Sequence, residues 1–119
     1  MEIIVKILIG CIAFLHLYFL YFEMFAWETL GRKIFKNFPK DLFKPTKSMA
    51  ANQGLYNGFL AAGLIWTFFI DNDIWRLYIS VFFLSCVIIA GVYGALTVSK
   101  KILYVQAIPA IIALVLIHL

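Results

Sequence analysis

Apolar residues along the chain fall into four runs, each near the roughly 20 residues that a membrane-crossing helix needs. The runs cover residues 3–27, 49–70, 74–96 and 102–119. The first is interrupted by Lys6, His16 and Glu23, the second carries no formal charge, the third opens with Arg76, and the fourth is the shortest. The breaks between them are polar. Asp71-Asn72-Asp73 places N-capping side chains just ahead of the third run. Ser99-Lys100-Lys101 makes a short turn ahead of the fourth. None of the runs alternates polar with apolar positions, so a β-barrel is excluded and each run is expected to be a helix. The fold class is all-α: an integral membrane four-helix bundle, a single domain over residues 1–119. No cleavable signal peptide is evident, because the first run is too long for an h-region and shows no small-residue cleavage site before it turns aromatic.

Composition and charge sharpen this picture. Of 119 residues, 65% are hydrophobic and 13% charged, against about 45–50% and about 25% in soluble domains. So short a chain has little interior for its surface, and a water-soluble fold would need a far more polar exterior. The same numbers exclude disorder. Arg32, Lys33, Lys36, Lys40, Lys44 and Lys47 lie between the first two runs, and Lys100 and Lys101 between the last two. In a four-span protein these two segments share a side, which then holds eight of the ten Lys and Arg; Lys6 and Arg76 remain for the other. Basic loops stay cytoplasmic, so both termini are expected outside. Residues 28–47 interleave Leu30, Ile34, Phe35, Phe38, Leu42 and Phe43 with the six basic residues. Such a stretch lies in the headgroup layer of an anionic leaflet, and its lysines and Arg32 are candidates for the mouth of an anionic-ligand site. Topology already accounts for the basic residues, so no nucleic-acid partner is expected. The halves of the chain differ in loop length and polar content, which does not suggest an inverted-repeat transporter. Cys11 and Cys86 have the spacing of neither a metal site nor a redox pair.

Polar residues inside the runs carry the functional signal. His16 and Glu23 are seven residues apart, on one face of the first helix. Gln53, Tyr56 and Asn57 share a face of the second, flanked by Asn52; Tyr93 and Thr97 close the third, and Tyr104 and Gln106 open the fourth. At about 1.5 Å per residue, Glu23 lies about 6 Å from the cytoplasmic end of its run and the amides within roughly 12 Å of the same end. Ionisable and amide groups in a span face a bundle interior or a water-filled cavity, so four helices deliver polar groups to one level, with His16 deeper. Small residues mark close helix approach. Ala50, Gly54, Gly58 and Ala62, then Cys86, Ala90, Gly91, Gly94 and Ala95, then Ala107, Ala110 and Ala113 predict tight packing of the last three runs. Pro109 lacks the N–H that the carbonyl of Val105 would accept from, so a kink is expected there.

The run Lys47-Ser48-Met49-Ala50-Ala51-Asn52-Gln53-Gly54-Leu55-Tyr56-Asn57-Gly58-Phe59-Leu60-Ala61-Ala62-Gly63 resembles the signature of domain-of-unknown-function family thirteen-zero-four, a family of small bacterial membrane proteins. His16, Glu23-Met24-Phe25-x-Trp27, Ala90-Gly91-x-Tyr93-Gly94 and Gln106-x-x-Pro109-Ala110 are similar to that family as well, so the resemblance covers essentially the whole chain. It implies a four-helix fold in the bacterial cytoplasmic membrane and brings no activity with it. A second likeness is architectural. The membrane-associated eicosanoid and glutathione metabolism proteins are four-span bundles with outward termini, a long cytoplasmic first loop, and a Gln-x-Pro-like kink in the fourth span. That likeness implies trimers that bind glutathione between subunits. Their second-span motif carries an arginine and a glutamate, where this chain has Met49 and Tyr56.

These observations lead to a multi-pass membrane protein that holds a small or lipid-like molecule in a polar pocket in the cytoplasmic half of the bundle. The expected ligand-binding residues are Glu23, Asn52, Gln53, Asn57, Tyr93 and Gln106, with His16 at the pocket floor. His16 and Glu23 are the candidates should the site perform acid–base chemistry. No metal ligands and no cofactor are identified. The expected partners are the lipid bilayer, the small or lipid-like ligand, and further copies of the chain in a homo-oligomer, trimer or dimer. Two other readings stay open: a small proton-coupled exporter, and a structural or assembly protein with no ligand.

Overall fold

The apolar runs are helical in the computed structural model, which describes residues 1–119. Helix α1 covers Ile3–Phe25 and the short α2 covers Leu30–Ile34; a 3-10 turn follows at Lys40–Leu42. Helix α3 covers Lys47–Trp66 and runs on into a 3-10 turn at Thr67–Phe69. Helix α4 covers Asp73–Thr97, and a π turn at Leu103–Ala107 leads into α5, Ile108–Ile117. The chain has no strand. Helices α1 and α4 are long and apolar enough to cross a membrane, and Leu103–Ile117 is a shorter apolar helix. Large apolar side chains on α1 and α4 point away from the protein interior, among them Ile7, Phe14, Phe82 and Ile89.

The chain divides into two compact units. One is formed by Met1–Phe14 and Leu60–Leu119. Its core joins Val5, Ile9, Ile12 and Ala13 of α1 to Leu64, to Leu84 and Val87 of α4, and to Ala110 and Ala113 of α5. The buried positions of α4 (Ser80, Leu84, Val87 and Gly91) recur at helical spacing and form one stripe. Asn72 caps α4, its side-chain Oδ1 accepting from the backbone N–H of Trp75 at 3.0 Å. The irregularity expected at Pro109 is the π turn. The N–H of Ile108 reaches back five residues to the carbonyl of Leu103, a register that adds one residue to the turn. The turn brings Ala107 against Gly91 of α4. A Cβ on Gly91 would stand 2.8 Å from Ala107 Cβ and 2.9 Å from its backbone nitrogen, so this crossing admits only glycine.

The small-residue stripe of α3 divides. Gly54 and Gly58 receive Leu20, Glu23 and Met24 of α1, whereas Gly63 receives the ring of Phe83 of α4. Close packing expected among the last three runs therefore includes the first. Size complementarity decides this: each glycine lies where a large side chain of the facing helix needs room.

The second unit, Leu15–Phe59, contains a folded basic segment. Phe43 is 1% exposed, with ring centroids at 5.1 Å from Trp27 and 5.0 Å from Phe38. Trp27 also packs on Phe35, and Phe35 on Phe22 of α1. The indole N–H of Trp27 donates to Thr46 Oγ1 at 3.0 Å, which ties the end of α1 to the start of α3. Arg32 lies over Phe43 at 4.9 Å and donates to the carbonyls of Glu28 and Lys40 at 2.7 and 2.8 Å. Its guanidinium thus staples the segment, and the exposed Lys33, Lys36, Lys40, Lys44 and Lys47 form its charged rim.

Candidate functional site

The candidate site lies within the unit Leu15–Phe59, where α1 and α3 pack. Ala50, Gly54 and Asn57 recur at four- and three-residue spacing and line the side of α3 that meets α1. Absence of a side chain at Gly54 sets the distance. A Cβ there would stand 2.7 Å from Met24 Cγ, 3.0 Å from Glu23 Cβ and 3.2 Å from the carbonyl oxygen of Leu20. The backbone of α1 therefore comes within touching distance of α3, and one turn further along Asn57 reaches it. Asn57 Nδ2 donates to Glu23 Oε1 at 2.6 Å. Glu23 is 8% exposed. A carboxylate has two oxygens and about four acceptor positions, so Asn57 occupies only part of its capacity.

Of the other expected site residues in this unit, His16 is fully buried, two helical turns before Glu23, with its ring edge-on to Phe19 at 5.2 Å. Gln53 is exposed on the flank of α3 about 40° around the helix from Asn57, and Tyr56, also exposed, stands about 160° around from Gly54 with its ring centroid 5.9 Å from that of Phe59. Asn52 is exposed as well and likewise stands about 160° around the helix from Gly54 at 3.6 residues per turn. The structure thus brings Glu23 and Asn57 together, sets Gln53 beside Asn57, and leaves Asn52 and Tyr56 on the opposite side of α3. Tyr93 and Gln106 belong to the other unit; Tyr93 is exposed on α4 and Gln106 is buried in the π turn. No group of three His, Cys, Asp or Glu stands close enough to hold a metal. Leu20 and Met24, not among the expected site residues, complete the wall of the site by filling the notches at Gly58 and Gly54. Their signal is the matched four-residue spacing of two large residues on α1 and two glycines on α3.

The family profile described as "Protein of unknown function (DUF1304)" matches residues 10–118. The chain belongs to this family. A DUF1304 assignment takes in Glu23, Asn57 and both glycines opposite α1, all within the matched residues. The protein is similar to the uncharacterized protein YpaA of Lactococcus lactis subsp. lactis (strain IL1403), at 32% identity over 117 residues and 97% of each chain. No solved structure matches it.

Proposed function

We propose that this DUF1304 protein is a four-span protein of the bacterial cytoplasmic membrane that binds a lipid-like molecule at Glu23 and Asn57. In this reading α1, α3, α4 and the α5 segment cross the bilayer, both termini lie outside, and the basic segment rests on the inner leaflet. The apolar lengths of α1 and α4 and the outward Ile7, Phe14, Phe82 and Ile89 support membrane insertion. The observation that carries the ligand reading is the Asn57–Glu23 hydrogen bond at 2.6 Å, flanked by exposed Gln53. A buried carboxylate costs much to desolvate and persists where it is used or paired. The exposed amide of Gln53 beside the pair lies at the level of the headgroup layer in this reading, so the site opens sideways to an amphiphile. Its head would give a proton donor to the second oxygen of Glu23 and accept from Gln53, while its tail lies along the apolar face of α3.

The test is to purify the protein in mild detergent, extract it and identify what co-purifies by mass spectrometry. Glu23→Gln and Asn57→Ala are expected to lose the retained molecule by tenfold or more. Unchanged retention refutes the site. A ligand-free protein with a dry hydrogen-bond network gives the opposite pattern: nothing specific co-purifies, and both substitutions lower only the unfolding midpoint.

A further inference from the structure

Lys6 and Arg76, the two basic residues that the charge pattern separates from the other eight, line one small cavity in the unit formed by Met1–Phe14 and Leu60–Leu119. Met1, Ile9, Thr67 and Phe68 complete its wall, and its volume is about 40 Å³. One water needs roughly 10–15 Å³ on the same measure, so the space takes a body somewhat larger than water. A halide ion meets that size, and a tetrahedral oxyanion is larger again.

Both cationic residues of the wall carry N–H donors. Arg76 donates from Nε and Nη2 to the carbonyl of Ile70 at 3.0 and 2.6 Å, and from Nη1 to Asp73 Oδ1 at 2.9 Å. A guanidinium has five N–H groups, so two remain after these three bonds have fixed its plane. The carboxylate of Asp73 is 87% exposed and the side chain of Arg76 only 18%. Asp73 therefore holds its charge in water, where it is screened, while the guanidinium is drawn inward. Lys6 is half-buried and has no acidic partner. Thr67 commits its hydroxyl proton to the carbonyl of Leu64 at 2.6 Å and adds no donor. Asp73 offsets Arg76 from the solvent side only and Lys6 has no carboxylate partner, so the wall of the cavity carries excess positive charge, which partial burial disfavours. A single small anion between Lys6 and Arg76 offsets it.

We propose that this cavity binds a halide-sized monovalent anion, held by the ammonium of Lys6 and the two remaining N–H groups of Arg76. The site shares no residue with the Glu23–Asn57 pair, so either proposal can fail alone. The experiment replaces sodium gluconate by sodium chloride at constant ionic strength and follows the unfolding midpoint of the full-length protein in detergent. The wild type is expected to gain several degrees and saturate. Lys6→Gln is expected to abolish the gain, and Lys101→Gln, at an exposed position, to keep it. A gain that does not saturate, that survives in Lys6→Gln, or that sulfate matches overturns the proposal. Chlorine-35 magnetic resonance on the wild type tests it without any variant. Line broadening beyond that of empty micelles, reversed by bromide, is expected; its absence overturns the site.

Discussion

Gly54 and Gly58 stand one turn apart on α3, yet a methyl group added at each meets different matter. At Gly58 the near atom is Leu20 Cδ1 at 2.5 Å, the tip of a flexible side chain, and the next is Leu20 Cγ at 3.8 Å. At Gly54 the near atoms are Met24 Cγ, Glu23 Cβ and, at 3.2 Å, the backbone oxygen of Leu20. A rotamer change clears the first; only a movement of α1 clears the second. Alanine also favours a helix over glycine by about 1 kcal/mol. Gly58→Ala is therefore expected to fold within about 1 kcal/mol of the wild type, the gain in propensity offsetting the displaced leucine tip. Gly54→Ala is expected to lose about 1–3 kcal/mol, as overpacked sites do, and to pull Glu23 off Asn57. Unfolding in a titration of mild detergent with sodium dodecyl sulfate measures both. Equal losses would show that α1 and α3 do not approach at Gly54. The chemistry of Glu23 thus depends on a residue with no side chain, because the 2.6 Å bond to Asn57 needs the backbone approach that Gly54 permits.

Among the elements, the segment between α1 and α3 has the least regular structure and the most specific packing. Phe43 touches Trp27, Phe38 and the guanidinium of Arg32 and is almost wholly buried. Truncating a buried phenylalanine costs about 3–5 kcal/mol, more than so short a segment can hold in reserve. Phe43→Ala is expected to open this segment while α1, α3 and α4 persist. Limited trypsin digestion reads it out, since Arg32, Lys33, Lys36, Lys40, Lys44 and Lys47 all lie there. The wild type should resist and the variant should be cut within the segment; equal resistance would mean that the aromatic cluster does not hold it. Much of this level was legible in the sequence. Helical runs followed from hydropathy, the cap at Asn72 from the Asp-Asn-Asp turn, and the disturbance before Pro109 from its missing N–H. The partner of each small residue was not legible. A glycine at four-residue spacing announces a close neighbour, but which helix supplies it depends on where Leu20, Met24 and Phe83 stand in space. The same limit hid the partners of Arg32: it reads as surface charge, and only the fold puts the carbonyls of Glu28 and Lys40 within its reach. Of the candidate site, Glu23 and Asn57 were readable as polar groups at one depth, and Asn52 shared that depth while standing on the other side of α3.

For the whole molecule, the decisive quantity is how the ten Lys and Arg are distributed along the chain. Placing one basic residue at the centre of a bilayer costs about 2.5–3.5 kcal/mol on insertion scales, and transfer of basic loops across the membrane is resisted in proportion to their number. The segments holding Arg32 to Lys47 and Lys100 to Lys101 carry eight of the ten, so in the proposed four-span arrangement the inverted orientation would move eight charges outward in exchange for Lys6 and Arg76. The exposed lysines of the first segment would then rest against anionic headgroups, each worth about 1 kcal/mol near the surface. Accessibility to a membrane-impermeant maleimide checks this orientation. With Cys11 and Cys86 replaced by alanine, a cysteine placed at Lys44 is expected to stay unlabelled in intact cells and to react once the membrane is opened. One placed at Asp71, in the turn ahead of α4, should react in both conditions. The two positions differ by one crossing of α3, so the pair also tests whether that helix spans. Labelling of both from outside would leave α3 on one side of the membrane. Labelling of the Lys44 position alone would reverse the orientation and move the Glu23–Asn57 site to the outer leaflet.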